Sequence, residues 1–155
     1  MRRAFNLIMA IGMILLLSGA AILTMKYVSI SAQHITDSYV KEQAEIFAKS
    51  ILEASLLKIE GYDRSTNKDC LREFDAQSAD NRFLAKVYIE HYYLYNGEDN
   101  DGSTLDNCTI DENISTSESH GYVVVEVVVT TNESHAKIKN FVTPIRIVMR
   151  SLQRP

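Results

Sequence analysis

The chain is 155 residues long, 46% hydrophobic and 23% charged, with a formal net charge of −4. That length fits one compact domain plus one long accessory element. The composition excludes a collagen-like chain, a disordered acidic tail and a membrane protein of many spans, and the acidic balance argues against a basic nucleic-acid-binding domain. The average conceals a split. Residues 4–25 carry no charge, whereas residues 98–120 hold seven acids and no Lys or Arg.

The chain opens Met1-Arg2-Arg3 and runs on as an apolar segment over 5–25. About 20 apolar residues in a helix, rising 1.5 Å each, match the roughly 30 Å hydrocarbon core of a bilayer. Two arginines ahead of the segment favour the cytoplasmic side, which places everything from Lys26 onward outside. No second run approaches this length, so one membrane crossing is expected. Beyond it lie 14 basic and 20 acidic residues. Three readings stay open: a secretory signal cut at Ser18-Gly19-Ala20, an uncleaved signal anchor, or a helix kept whole after cleavage between Ala4 and Phe5.

The helical pattern outlasts the span. The 41 residues between Gly19 and Gly61 include neither Gly nor Pro, and Ile35, Tyr39, Ile46, Phe47, Ile51, Ala54 and Leu57 recur near helical spacing. Gly61 is the expected stop. A helix over 5–58 is roughly 80 Å long. Its amphipathic part, 26–60, must pack on the chain's own distal domain, on other subunits, or on both.

The remainder, 61–155, reads as a sheet domain. Residues 62–82 are polar and irregular. A first strand is expected where Phe83, Ala85, Val87, Ile89, Tyr93 and Tyr95 alternate with Lys86, Tyr88, Glu90 and Tyr92. The β-branched run 121–131 gives a second. A third has Phe141, Thr143, Ile145, Ile147 and Met149 on one face, with Pro144 suited to a strand start or edge. The residues 131–135 allow a hairpin between the last two strands. The expected class is therefore α+β, a long hydrophobic N-terminal helix packed on a small antiparallel sheet of three to four strands.

Cys70 and Cys108 are the only cysteines. Outside the cytoplasm they can form a disulfide worth about 4 kcal/mol by chain entropy; two unpaired thiols are the alternative. Asp99, Asp101 and Asp106, around Gly102, offer hard oxygens for Ca²⁺, although the spacing is not that of an EF-hand and a solvated turn explains the loop as well. Asn107, Asn113 and Asn132 begin glycosylation acceptor triplets, and Asn113 alone has an acid two residues earlier, Asp111. His34, His91, His120 and His135 lack metal-ligand spacing. Lys137, Lys139, Arg146, Arg150 and Arg154 make a basic C-terminal region, fit for subunit contacts or for nucleic-acid phosphates. Nothing reads as a nucleophile with its base, a phosphate-binding loop or a paired-carboxylate site, so no enzyme activity is expected.

Arg3-Ala4-Phe5-Asn6-Leu7-Ile8 resembles the prepilin motif of type IV pilins and type II secretion pseudopilins. Residues 39–50, ending near Gly61-Tyr62-Asp63-Arg64-Ser65, resemble small bacterial prepilin-like proteins. The resemblance implies a leader over 1–4, cleavage after Ala4 and methylation of Phe5. It also implies a bacterial inner-membrane location with the C-terminal domain periplasmic. Implied partners are other pilin or pseudopilin subunits, the assembly machinery and membrane lipid. A distal Ca²⁺ loop occurs in some pseudopilins. Met9 stands where the family usually has Glu, which points away from a major fibre subunit and towards a minor one. The implied function is a non-enzymatic minor subunit of a secretion, pilus or DNA-uptake machine. A single-span anchored or secreted periplasmic binding or sensing domain is the alternative.

Overall fold

The computed structural model of the chain describes residues 2–99, 102, 104–134 and 143–155. The chain forms two compact units, Met1–Tyr39 and Val40–Pro155. A single helix, α1 (Arg2–Glu60), begins in the first and ends in the second.

In the first unit the apolar side chains from Ile8 onward lie open; Leu16, Leu23 and Met25 are 70–77% exposed. Such a surface is stable only against lipid or protein. α1 is long and apolar enough to cross a membrane. Ser18 and Thr24 turn their hydroxyls back to the carbonyls of Leu15 and Ala21, so these two polar groups are satisfied within the helix.

In the second unit α1 supplies one layer and a five-stranded sheet the other. Val40, Ala44, Ala48, Ile51, Ser55 and Ile59 recur every three or four residues and are all buried. Ala44, Ala48 and Ser55 are fully enclosed, and their small size lets the helix seat closely on the sheet. The Ser55 hydroxyl, which burial would otherwise penalise, donates to the Leu52 carbonyl at 2.6 Å. The helix ends at Glu60 as expected from Gly61, but Gly61 is not left-handed: its N–H still bonds the Leu57 carbonyl at 3.0 Å. The expected apolar stripe proves to be two faces. Ile51 is buried and Phe47 half-buried, whereas Ile46 and Leu57 are 67% and 72% exposed.

A short helix, α2 (Arg64–Asn67), follows, capped by Asp63, whose carboxylate accepts from the Thr66 N–H at 3.2 Å. The strands are β1 (Glu73–Gln77), β2 (Phe83–Tyr95), β3 (Asp111–Ile114), β4 (Tyr122–Thr131) and β5 (Arg146–Gln153). The antiparallel order is β1-β2-β4-β5, with the short β3 pairing parallel to β2. β1 takes Leu84 to Tyr88 of β2 and β3 takes Tyr92 to Tyr95, so both share the edge that β4 leaves free. The fold is α+β, with one strand more than the three to four expected. The stretch 62–82, read as irregular, holds α2 and β1 instead.

The inner face carries Phe83, Ala85, Val87 and Ile89 of β2 and Val123, Val125, Val127 and Val129 of β4, with Ile147 and Met149 of β5 beside them. A bulge between Ile89 and His91 reverses the alternation, so Tyr92 and Leu94 face the core rather than Tyr93 and Tyr95. β4 and β5 pair antiparallel as expected, from Val123↔Gln153 to Thr130↔Arg146. His135 of the anticipated turn, and Phe141 and Val142 of the anticipated strand, lie outside the described residues.

Candidate functional site: the anchor, the braced loop and the basic strand

Ala4 and Phe5, the expected cleavage residues, fall within α1. Met9 is 58% exposed. An apolar side chain there suits lipid contact without a charged partner.

At the other end of α1, the acidic loop is tied down from two sides. Cys70 and Cys108 form a disulfide, with their Cα atoms 5.2 Å apart. Beside it the Asn107 N–H bonds the Lys68 carbonyl at 2.8 Å, and an Arg72 terminal nitrogen donates to the Asn107 carbonyl at 2.9 Å. Lys68 itself is left-handed (φ 50°), which turns the chain out of α2 towards Cys70. The second tether is charge. Arg64 Nε lies 2.9 Å from Asp99 Oδ2, both side chains being less than a fifth exposed. Lys68 reaches Asp106 at 3.4 Å in the open. The Thr104 hydroxyl and the Lys68 ammonium hold the Asp106 carboxyl below its ordinary range.

Two of the three candidate Ca²⁺ donors, Asp99 and Asp106, are thus directed at cationic side chains, and Asp101 lies outside the described residues. Among the described residues no cluster of three or more His, Cys, Asp or Glu side chains is placed to hold a metal. The loop is braced as an ion-paired turn, with Gly97 and Gly102 at φ 73° and 77°.

Tyr92 closes the base of this region. Its ring is 1% exposed, and its hydroxyl donates to the Leu71 carbonyl at 3.2 Å. Burial pushes its pKa up to about 12, so it is a neutral donor. Glu60, Arg64, Tyr92, Asp99, His120 and Arg154 line a cavity of about 210 Å³. His120 Nδ1 accepts from the Tyr95 N–H at 3.0 Å, which leaves the neutral ring's proton on Nε2. The sequence gives little warning of this grouping: Arg64 and Asp99 are far apart in the chain, and the bulge alone turns Tyr92 inward.

Asn113 lies on β3 and is exposed. Asn132 spends its amide on the Asn81 carbonyl (2.9 Å) and on the Ser134 N–H (3.1 Å), joining the β1–β2 turn to the end of β4. His34 is on α1, and His91 Nδ1 is 3.3 Å from Glu112 Oε1 without hydrogen-bond alignment. Arg146 and Arg150 point outward from β5, and Arg150 Nε meets Glu90 at 2.6 Å. Arg154 lies over the Tyr122 ring, 5.8 Å from its centroid. Lys137 and Lys139 are outside the described residues. The basic region is therefore partly neutralised within the chain. Compared with protein-family models, curated proteins and solved structures, the chain matches none.

Proposed function

We propose that the chain is a membrane-anchored, non-enzymatic subunit of the prepilin-like class, a minor component of a secretion, pilus or DNA-uptake assembly. The observation that carries this reading is the double-sided character of α1 between Val40 and Glu60. One face is committed to the sheet, while Ile46 and Leu57 stay exposed on the other. A helix with no further partner gains nothing from large apolar residues there. In this reading the N-terminal part waits in the bilayer, and the exposed face of the distal part is buried against neighbouring subunits on assembly. Met9 in place of a carboxylate fits a minor or initiating subunit. The sheet presents surface to partners, and β5 offers cationic side chains for subunit contact or, secondarily, for nucleic-acid phosphates.

Mass analysis of the mature N-terminus tests the proposal in a host with prepilin peptidase. A chain beginning at methylated Phe5 supports it. A chain beginning at Ala21 excludes it, because the apolar helix would then be lost.

The alternative, an anchored or secreted binding or sensing domain, draws on the mixed-charge cavity around Arg64 and Asp99. That pair is already closed at 2.9 Å, so a ligand would have to compete with it. We therefore favour assembly.

A further inference from the structure

We propose that neighbouring copies join their sheets edge to edge, β5 of one copy adding to β1 of the next, so that a row of chains shares a continuous sheet. Among the described residues β1 and β5 are the two ends of the antiparallel order. Each successive pair in that order is antiparallel, so β1 and β5 run in opposite directions. Two copies standing side by side in one orientation therefore bring β5 against β1 of the neighbour as an antiparallel pair. That is the pairing the sheet already uses.

The register follows from the rows that cross the sheet. Glu73, Tyr88, Glu126 and Arg150 lie in one row; Asp75, Lys86, Val128 and Val148 in the next; Gln77, Leu84, Thr130 and Arg146 in a third. Carried straight across the seam, Arg150 faces Glu73 of the next copy and Val148 faces Asp75. Asp75 then has Arg146 and Arg150 on its two diagonals, within reach of long side chains. These side chains lie on the outer face. On the inner face the same register sets Met149 opposite Phe74 and Ile147 opposite Ala76, all four half-buried at the margin of the core. Both faces thus match without a slip: acid meets base outside and apolar meets apolar inside. A one-residue shift would set Arg150 against Phe74 in one direction and Arg146 against Ala76 in the other.

The charges have competing partners within one copy, Lys86 for Glu73 at 3.3 Å and Glu90 for Arg150. Glu73 and Lys86 are about half exposed, so their bridge is weak and easily shared. Asp75 and Arg146 form no ion pair among the described residues. The contact joins two different edges, so it does not close on itself; it repeats in one direction and produces a row. This deepens the assembly reading by naming a contact in the distal domain, and it needs only that copies stand parallel in one membrane.

The test is disulfide trapping between full-length chains in detergent micelles. One chain carries Asp75→Cys and the other Val148→Cys, with different tags, and the intact Cys70–Cys108 bond in each is checked by peptide mass. A disulfide between the two chains is expected on mild oxidation, with neither chain forming it alone. Adding Arg146→Glu and Arg150→Glu to the Val148→Cys chain should abolish the product. Glu73→Lys on the other chain should restore it. Homodimers as the main product, absence of the mixed disulfide, or equal yield from an Asp75→Cys and Glu118→Cys pair would overturn the proposal. Placing Ile46→Glu and Leu57→Glu in both chains separates the two readings. If those changes abolish helix association but leave the trapped pair, the sheet contact stands on its own. If the trapped pair never forms while helices still associate, only the sheet contact fails.

Discussion

Phe47 of α1 stacks on Phe83 at the start of β2, ring centroids 6.0 Å apart and planes 26° from parallel. The pair joins the helix to the start of β2, beside a groove that also contains Ile46, Asp80 and Arg82. Phe83 is buried and Phe47 half-buried, so the helix contributes a ring that must cover rather than fill. Phe47→Ala should cost about 2 kcal/mol, below the ~3–5 kcal/mol of a fully buried Phe. Urea unfolding with an unchanged slope and a lower midpoint would show it.

The disulfide is the second fastener. It closes a separation of 38 residues containing β1, β2 and the acidic loop. The chain-entropy relation gives about 4 kcal/mol for a loop of that size. The double variant Cys70→Ala, Cys108→Ala should therefore unfold at a much lower urea concentration, and reductant should destabilise only the parent. A midpoint indifferent to reductant would show that the Arg64–Asp99 brace and the Lys68–Asn107 bond hold the loop unaided.

How far the sequence shows these features depends on where the determining contact lies. α1 and its end near Gly61 are legible because spacing and the absence of Gly and Pro are local. β4 is legible because its β-branched density is local, with valine inward at 123, 125, 127 and 129. β1 is not, since Glu73, Asp75 and Gln77 leave only Phe74 and Ala76 facing in. β3 is held by backbone bonds to β2 and reads as part of the acidic loop. The bulge after Ile89 is hidden by Tyr92, Tyr93 and Tyr95, which offer an aromatic in either phase. The Arg64–Asp99 brace depends on chain segments meeting, which composition and local spacing do not convey.

Asp80 organises the β1–β2 turn. It accepts from the Ser78 hydroxyl at 2.7 Å, the Arg82 N–H at 3.2 Å and the Arg82 guanidinium, while Asn81 adopts φ 57°. These bonds, that from Ser78 foremost and then those from Arg82, lower its pKa from 3.8 to about 2. A folded-state value below the unfolded one means that the unfolded chain takes up the proton first as pH falls. The turn's contribution is thus complete above about pH 4 and lost progressively towards about pH 2. Because the carboxylate is exposed, that contribution is under ~1 kcal/mol. Asp80→Asn should flatten stability against pH in this window, measured by thermal unfolding from pH 5 to 2.

Ile46 and Leu57 are 11 residues apart, so at about 100° per residue they lie within about 20° of each other on α1. Ser55, fully buried, lies about 180° from Ile46. Substitution at both exposed positions therefore leaves the core line untouched, and Ile46→Glu with Leu57→Glu should change unfolding stability by less than about 1 kcal/mol. Association should respond differently. Burying an exposed large aliphatic side chain yields roughly 1.5–3 kcal/mol, and a buried carboxylate reverses the sign. Self-association of the full-length chain in micelles, measured by energy transfer between labelled copies, should weaken at least tenfold, with Ile46→Leu and Leu57→Ile retaining it. If the acidic pair instead unfolds the domain, these residues serve the fold. If it alters neither property, the exposed face is not where copies meet.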